Sequence, residues 1–271
     1  NLAEISVDTC EFGAGSARVL SVILGGCNKS LKRIKLEGNA IGEGQVVDVV
    51  VALSMHPQLE KLEVKRTNIG RNECMAIATL LRWTTTKLHT LVLMSNRIDD
   101  DGVDALVDAL ASSDLLHTLN LSYNNISDNG VKALMRALAN GKLRELDLSN
   151  NRSITVRGWQ SVASLLDKGH SNLEELYLEN NIDDEGALVF ANAMVDNRRL
   201  KTLDVYGSSI TAQGWSAFSN VLCDTSSLNK LFLSNHTLGR FCRYRATSMR
   251  GLPQDVTLYL ELNGSSEDKK K

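Results

Sequence analysis

Aromatic residues make up only 5% of this 271-residue chain, against 43% for hydrophobic residues of all kinds. A sizeable core is therefore available, but Leu, Ile, Val and Ala have to build it. No apolar run approaches the roughly 18 residues that a membrane helix needs, and no secretory signal opens the sequence. The formal net charge is −2 and the pI about 6.3, so nothing global draws the chain to nucleic acid or to an anionic membrane. The first residue is Asn1, and Leu2 already belongs to the pattern described below, so the chain reads as a fragment of something longer.

Cysteine is scarce as well. Cys10, Cys27, Cys74, Cys223 and Cys242 are odd in number, and no two lie closer than 17 residues. That excludes a CxxC metal or redox motif and argues against a disulfide framework, which leaves free thiols in a reducing compartment. The N-x-S/T sequons at Asn28, Asn120, Asn125, Asn151, Asn235 and Asn263 are then coincidental, and a cytoplasmic location is expected. The usual reaction signatures are missing: there is no G-x-x-x-x-G-K-[ST], no H-E-x-x-H and no G-x-S-x-G. Asp99-Asp100-Asp101-Gly102 and Asp183-Asp184-Glu185-Gly186 lack the alternating ligands and closing glutamate of a calcium loop, and suit helix starts instead. His56, His89, His117 and His170 lie near repeat ends and converge on no carboxylate or nucleophile. No catalytic residue, metal or cofactor is expected.

What the chain does contain is periodicity. The pattern L-x-x-L-x-L-x-x-N-x-I recurs nine times, starting at Leu2, Leu31, Leu59, Leu88, Leu116, Leu143, Leu173, Leu200 and Leu228. The intervals are 29, 28, 29, 28, 27, 30, 27 and 28 residues. Each unit predicts a short strand followed by a helix. In the fourth, Leu88, Leu91 and Leu93 point inward, Asn96 and Ile98 close a turn, and Val103, Leu106 and Leu110 recur at helical spacing. One unit cannot bury its apolar face alone, so the units must stack around a continuous core.

The asparagine at the ninth position of each unit has a structural task. Its amide can serve both donors and acceptors where the strand bends. Asn39, Asn96, Asn124, Asn151 and Asn181 occupy it; Cys10, Thr67, Ser208 and His236 replace it. Two faults interrupt the register: Ile154 comes one residue late after Asn151, and Ile182 one residue early after Asn181. The loop into the sixth helix should bulge, and that into the seventh should tighten.

The period, the Asp128-Asn129-Gly130 turn and the paired A-L steps (Ala105-Leu106 with Ala109-Leu110, Ala133-Leu134 with Ala137-Leu138) resemble the ribonuclease-inhibitor-like class of leucine-rich repeats over about residues 2–238. The resemblance implies an α/β right-handed solenoid, or horseshoe, with a parallel sheet on the concave face and helices on the convex face. It also implies protein recognition. The chain is shorter and poorer in cysteine than ribonuclease inhibitor itself, so no ribonuclease-binding residue carries over.

Residues 1–238 are thus expected to form the repeat domain, and 239–271 a divergent cap and flexible tail. Gly239 to Arg245 is basic and aromatic, which suits a capping loop better than an RNA site. Val256, Leu258, Leu260 and Leu262 alternate like a strand, but Pro253 suits the first turn of a helix. Helix is the preferred reading. The residues from Gly264 to Lys271 read as a flexible end.

Residues between the leucines should line the concave face in columns about 5 Å apart. Repeats two and three place Arg33, Lys35, Glu37, Lys61, Glu63, Lys65 and Arg66 there, a basic balance. Repeats four and five are mostly uncharged and carry Tyr123. Repeats six to eight carry Glu145, Asp147, Glu175, Glu179 and Asp204 with no Lys or Arg, beside Tyr177, Tyr206 and Phe232. Aromatic anchors within one sign of charge are what protein interfaces use for energy and steering. A non-catalytic module that binds a basic protein or peptide is the leading expectation. The alternatives are a GTPase-activating repeat protein, which the Lys269-Lys270-Lys271 end disfavours because such proteins end in acidic tails, and an actin-regulatory cap.

Overall fold

Apolar residues at alternate positions of each L-x-x-L-x-L run, followed by a 3.6-residue apolar period, dictate strand then helix. The computed structural model describes residues 3–8, 15–26, 29–38, 45–82, 87–139, 141–167, 171–179, 181–224, 226, 234–241 and 252–268. Within them the strands are β1 (Glu4–Asp8), β2 (Arg33–Glu37), β3 (Lys61–Lys65), β4 (Thr90–Val92), β5 (Thr118–Asn120), β6 (Glu145–Asp147), β7 (Glu175–Tyr177) and β8 (Thr202–Asp204). Each is followed by a helix: α1 (Ser16–Gly26), α2 (Gln45–Leu53), α3 (Arg71–Arg82), α4 (Asp100–Ala111), α5 (Asp128–Leu138), α6 (Val156–Asp167), α7 (Asp184–Met194) and α8 (Ala212–Leu222). The strands form one parallel sheet in chain order. The chain is a leucine-rich-repeat solenoid.

The core lies between sheet and helices. Leu62, Leu91, Leu119, Leu146, Leu176 and Leu203 stand in register on successive strands and are fully buried. Helical residues such as Leu106, Leu134, Val162 and Phe190 close over them. Among the described residues large rings enter toward the C-terminal repeats, where Trp159 packs on Phe190 and Trp215 on Phe218.

The asparagine ladder forms as its chemistry requires. The Asn124 amide donates to the carbonyls of Leu93, Leu121 and Ser122, and its oxygen accepts from the Ile98 amide. Asn96 and Asn151 repeat the arrangement one unit to either side, and Thr67 and Ser208 fill the same place in theirs. Asn39 and Cys10 lie outside the described residues.

Both register faults are absorbed before the helices begin. The residues just ahead of α4 to α8 are Asp99, Ser127, Thr155, Asp183 and Thr211, a uniform spacing of 28. In the sixth unit the extra residue turns the Ile154 amide back to the Asn151 carbonyl, and Ser153 bridges to Ser127. Asn181 of the next unit then finds no amide for its oxygen, which stays buried and unpartnered.

The ninth unit departs from the sequence expectation. Residues 227–233, with Leu228 and Phe232, lie outside the described residues. Arg240 and Phe241 take the place beside β8: Thr202 bridges Arg240, and the amides of Leu203 and Val205 donate to the carbonyls of Arg240 and Phe241. The unit therefore begins at Leu238, not Leu228. A second hydrogen-bond ladder marks the register, because Asn235 donates to the Met194 carbonyl and accepts from Leu238 as Asn197 does with Leu166 and Leu200. His56 holds the equivalent place, with Nε2 on the Leu24 carbonyl. His236, expected in the strand-end ladder, is exposed. Residues 252–268 include a helix, α9 (Gln254–Asp268), with Val256 and Leu260 buried; Gly264 to Asp268 belong to it rather than to a loose end.

Candidate functional site on the concave sheet

Because successive strand residues point to opposite faces, each strand between two leucines offers the concave surface the same two or three positions. Stacking turns these positions into rows across the sheet. One runs Glu4, Arg33, Lys61, Thr90, Thr118, Glu145, Glu175, Thr202; the next runs Ser6, Lys35, Glu63, Val92, Asn120, Asp147, Tyr177, Asp204.

The N-terminal part of this surface is not a basic patch. Arg33 pairs with Glu4 at 2.9 Å, Lys35 with Asp8 and Glu37 at 3.2 and 3.0 Å, and Lys61 with Glu63 at 2.6 Å. Lys65 also pairs with Glu63, and Arg66 lies 3.7 Å from Glu37. Hydrogen bonds that the Lys35 ammonium donates to the carboxylates of Glu37 and then Asp8 raise it above its ordinary value. Burial would raise the Glu63 carboxyl, but Lys61 and Lys65 together hold it below its usual range. Glu4 and Asp8, absent from the sequence expectation, come from the first repeat, beside Arg33 and Glu37 respectively. Five cations here stand paired against four carboxylates, which leaves little net charge.

In the middle repeats the rows are uncharged. Asn120 donates to Asp147 at 2.8 Å and accepts from the Ser122 amide and hydroxyl. Tyr123 sits just beyond the strand in a left-handed turn (φ 56°) and is 47% exposed.

From β6 to β8 the character changes to acidic. Glu145 and Glu175 are neighbours on adjoining strands and both half-buried, and Thr118 donates to Glu145. The Tyr177 hydroxyl donates to Glu175. Asp147, Tyr177 and Asp204, expected as contact residues, are instead buried side by side as the floor of the surface. Their carboxylates have local work: Asp147 caps the Ser149 amide and Asp204 the Tyr206 amide. Tyr206, 40% exposed, and the half-buried Glu179 complete the rim. The sequence pattern brings Glu145, Glu175, Glu179, Tyr123 and Tyr206 to one accessible face. Arg240 joins the end of the first row beside Thr202, where the misplaced ninth repeat hid it. The signal that could have found it is the shared N-x-x-L step at Asn197–Leu200 and Asn235–Leu238.

His89 and His117 do not join this surface, and His170 lies outside the described residues. His89 and His117 stack at 6.5 Å on the edge where the strands begin, and burial followed by the Arg144 charge lowers the His117 imidazole below its ordinary value. Among the described residues no cluster of His, Cys, Asp and Glu has the makings of a metal site, and no helix is long and apolar enough to cross a membrane.

Sequence comparisons with known proteins agree with this architecture. Residues 85–107, 113–135 and 139–163 match a family model described as leucine-rich repeat. The chain is 28% identical to ribonuclease inhibitor of Mus musculus over 88% of its own length and 59% of that protein's. It is 27% identical to NACHT, LRR and PYD domains-containing protein 13 of Homo sapiens, again over 88% of this chain but 20% of that protein. It thus spans less than two thirds of the length of either relative. A solved structure of leiomodin-1 actin-binding site 2 aligns with 83% of this chain and 91% of its own at 18% identity, with a TM-score of 0.41.

Proposed function

Because the chain is a leucine-rich-repeat protein of the ribonuclease-inhibitor-like class, we propose that it is a non-catalytic cytoplasmic module that binds a basic protein or peptide across the concave face of repeats five to eight. The observation that carries this reading is the row of acids on β6 and β7. Glu145 and Glu175 are neighbours across the sheet, Glu179 lies on the same face, and no Lys or Arg stands in those rows from β6 to β8. A partner's cations offset the mutual repulsion of these carboxylates, which speeds encounter and fixes orientation. Tyr123 and Tyr206 flank the acids and supply rigid area that loses little entropy on contact. Asp147, Tyr177 and Asp204 support the surface from beneath.

The test is capture from a native extract followed by mass spectrometry. It compares the unaltered chain, a concave variant (Glu145→Gln, Glu175→Gln, Tyr206→Ala) and a convex variant on α5 (Lys132→Ala, Arg136→Ala). Basic partners should be retained by the first and third, lost by the second, and weakened by added salt. Loss with the convex variant alone would sink the reading. GTP hydrolysis by a panel of small GTPases should be unchanged by the protein.

A further inference from the structure

The convex face carries a second feature that the concave reading does not use. Stacking aligns outward positions of successive helices, and one such line runs Val47, Met75, Asp104, Lys132. Its neighbour runs Val51, Thr79, Asp108, Arg136. The outer surface therefore passes from apolar to acidic to basic within four repeats. The apolar end is well exposed: Val19 is 61% accessible, Val22 70%, Val51 59%, Met55 57% and Met75 54%. Solvated helices ordinarily hold polar residues at such positions, as α5 does with Lys132 and Arg136.

A groove of about 760 Å³ lies between α2, α3 and α4, lined by Val47, Val51, Met75, Thr79, Asp104 and Asp108 among others. Arg71 and Arg82 stand at its ends, each 3.4–3.5 Å from a carboxylate of α4, Asp101 and Asp108. Asp104, between those two acids, has no ion-pair partner among the described residues. Helix walls offer no free backbone N–H or C=O with which an extended segment could pair. A helix satisfies its backbone internally and presents only side chains.

We propose that this groove docks an amphipathic helix of a partner protein, apolar toward Val51 and Met75, with a basic residue at the level of Asp104. The site is separate from the concave surface, so the module engages two partner elements on opposite faces.

The probe is a synthetic amphipathic peptide of about 18 residues, five helical turns, with a leucine face and one central lysine at its edge. Its sibling carries glutamate instead. Fluorescence anisotropy with the full chain should favour the lysine peptide by about tenfold or more, since like charges brought together cost binding. Asp104→Lys should reverse that preference, and Val51→Asp with Met75→Asp should abolish both interactions, while Glu145→Gln with Glu175→Gln leaves them unchanged. Circular dichroism of each variant verifies folding. Equal binding of both peptides, or no response to Asp104→Lys, overturns the proposal. So does sedimentation that finds the chain self-associated through this face, with Val51→Asp and Met75→Asp restoring the monomer. Failure here leaves the concave reading untouched, because its variants and its partner assay are different.

Discussion

The carboxylate of Asp184 accepts the hydroxyl of Thr211 at 2.6 Å, although the two residues stand one whole repeat apart. The same carboxylate also takes the backbone amides of Thr211 and Gly214. Asp128 does this to Thr155 and Gly158, and Asp100 to Ser127. In each case an acid in the first turn of one helix caps the start of the next. Where the first residue of the earlier helix is not an acid, Arg71 or Val156, the next cap is itself an aspartate, Asp99 or Asp183, that serves its own helix. The hydroxyl is required because a carboxylate cap has no proton to donate.

Close approach of these acids needs a glycine. A Cβ on Gly214 would lie 2.5 Å from Asp184 Oδ1 and 2.8 Å from the Ile210 side chain, whereas on Gly186 its nearest neighbour is 3.1 Å away. Alanine gains about 1 kcal/mol in helix propensity at either site. The crowding at Gly214 outweighs that gain, at about 1–3 kcal/mol for an overpacked position. Urea unfolding should therefore place Gly214→Ala below the unaltered protein and below Gly186→Ala. Equal midpoints for the two variants would contradict the geometry.

The Thr211 hydroxyl, then the amides of Thr211 and Gly214, hold the Asp184 carboxyl below its ordinary value of 3.8. A carboxyl depressed in the folded state contributes stability above its unfolded value and loses it as pH falls through the folded one. Between pH 7 and 5 that contribution is constant; below about pH 4 it declines. The melting temperature of Asp184→Asn should accordingly lie below that of the unaltered chain at neutral pH, with the gap narrowing on acidification. A constant gap down to pH 3 would refute the linkage.

Asn124 and Asn181 occupy equivalent ladder positions but do unequal work. Asn124→Ala strips partners from three carbonyls and one amide, at roughly 1–3 kcal/mol for each group left buried and unsatisfied. Asn181 donates to the Leu148 carbonyl and its oxygen has no partner. Chemical denaturation should find Asn124→Ala the more damaging by a wide margin, and comparable losses would show that the ladder is not what sets the cost.

Burial, followed by the charges of Glu73 and Asp99, pushes the Cys74 thiol up to about 12. At pH 8 it is therefore protonated, and it is fully buried. Iodoacetamide with peptide mapping should leave Cys74 unlabelled in the native protein and label it on unfolding, while the half-buried Cys223 reacts earlier. Native labelling of Cys74 at the rate of an open thiol would contradict this environment.

The repeat was legible because leucine spacing and helix period are local, repeated signals, and eight strands fall where the leucines put them. Burial on the concave face was less legible. Sequence alternation assigns Asp147, Tyr177 and Asp204 to that face but cannot tell that they form its floor. The neutral character of the N-terminal patch depended on Glu4 and Asp8, one strand away. The ninth repeat failed for a different reason. Leu228 to Leu238 matches the repeat pattern well, yet Arg240 and Phe241 hold the edge of β8, and only the asparagine ladder at Asn197 and Asn235 marks the shift. The capping clasp stayed hidden because its partners lie 27 to 30 residues apart.

Phe241 packs against the C-terminal end of the described repeats. It is fully buried, 4.6 Å from the ring of Phe218 and 5.4 Å from that of Trp215, at the last rung of the stack. Repeat arrays lose structure from whichever terminus is held least, because each unit rests only on its neighbours. At the opposite end Ile5 and Val7 are half-covered and α1 exposes Val19, Val22 and Ile23. In this 271-residue chain hydrogen exchange should consequently reach β1 and α1 before β8, whose edge the aromatic rung clamps.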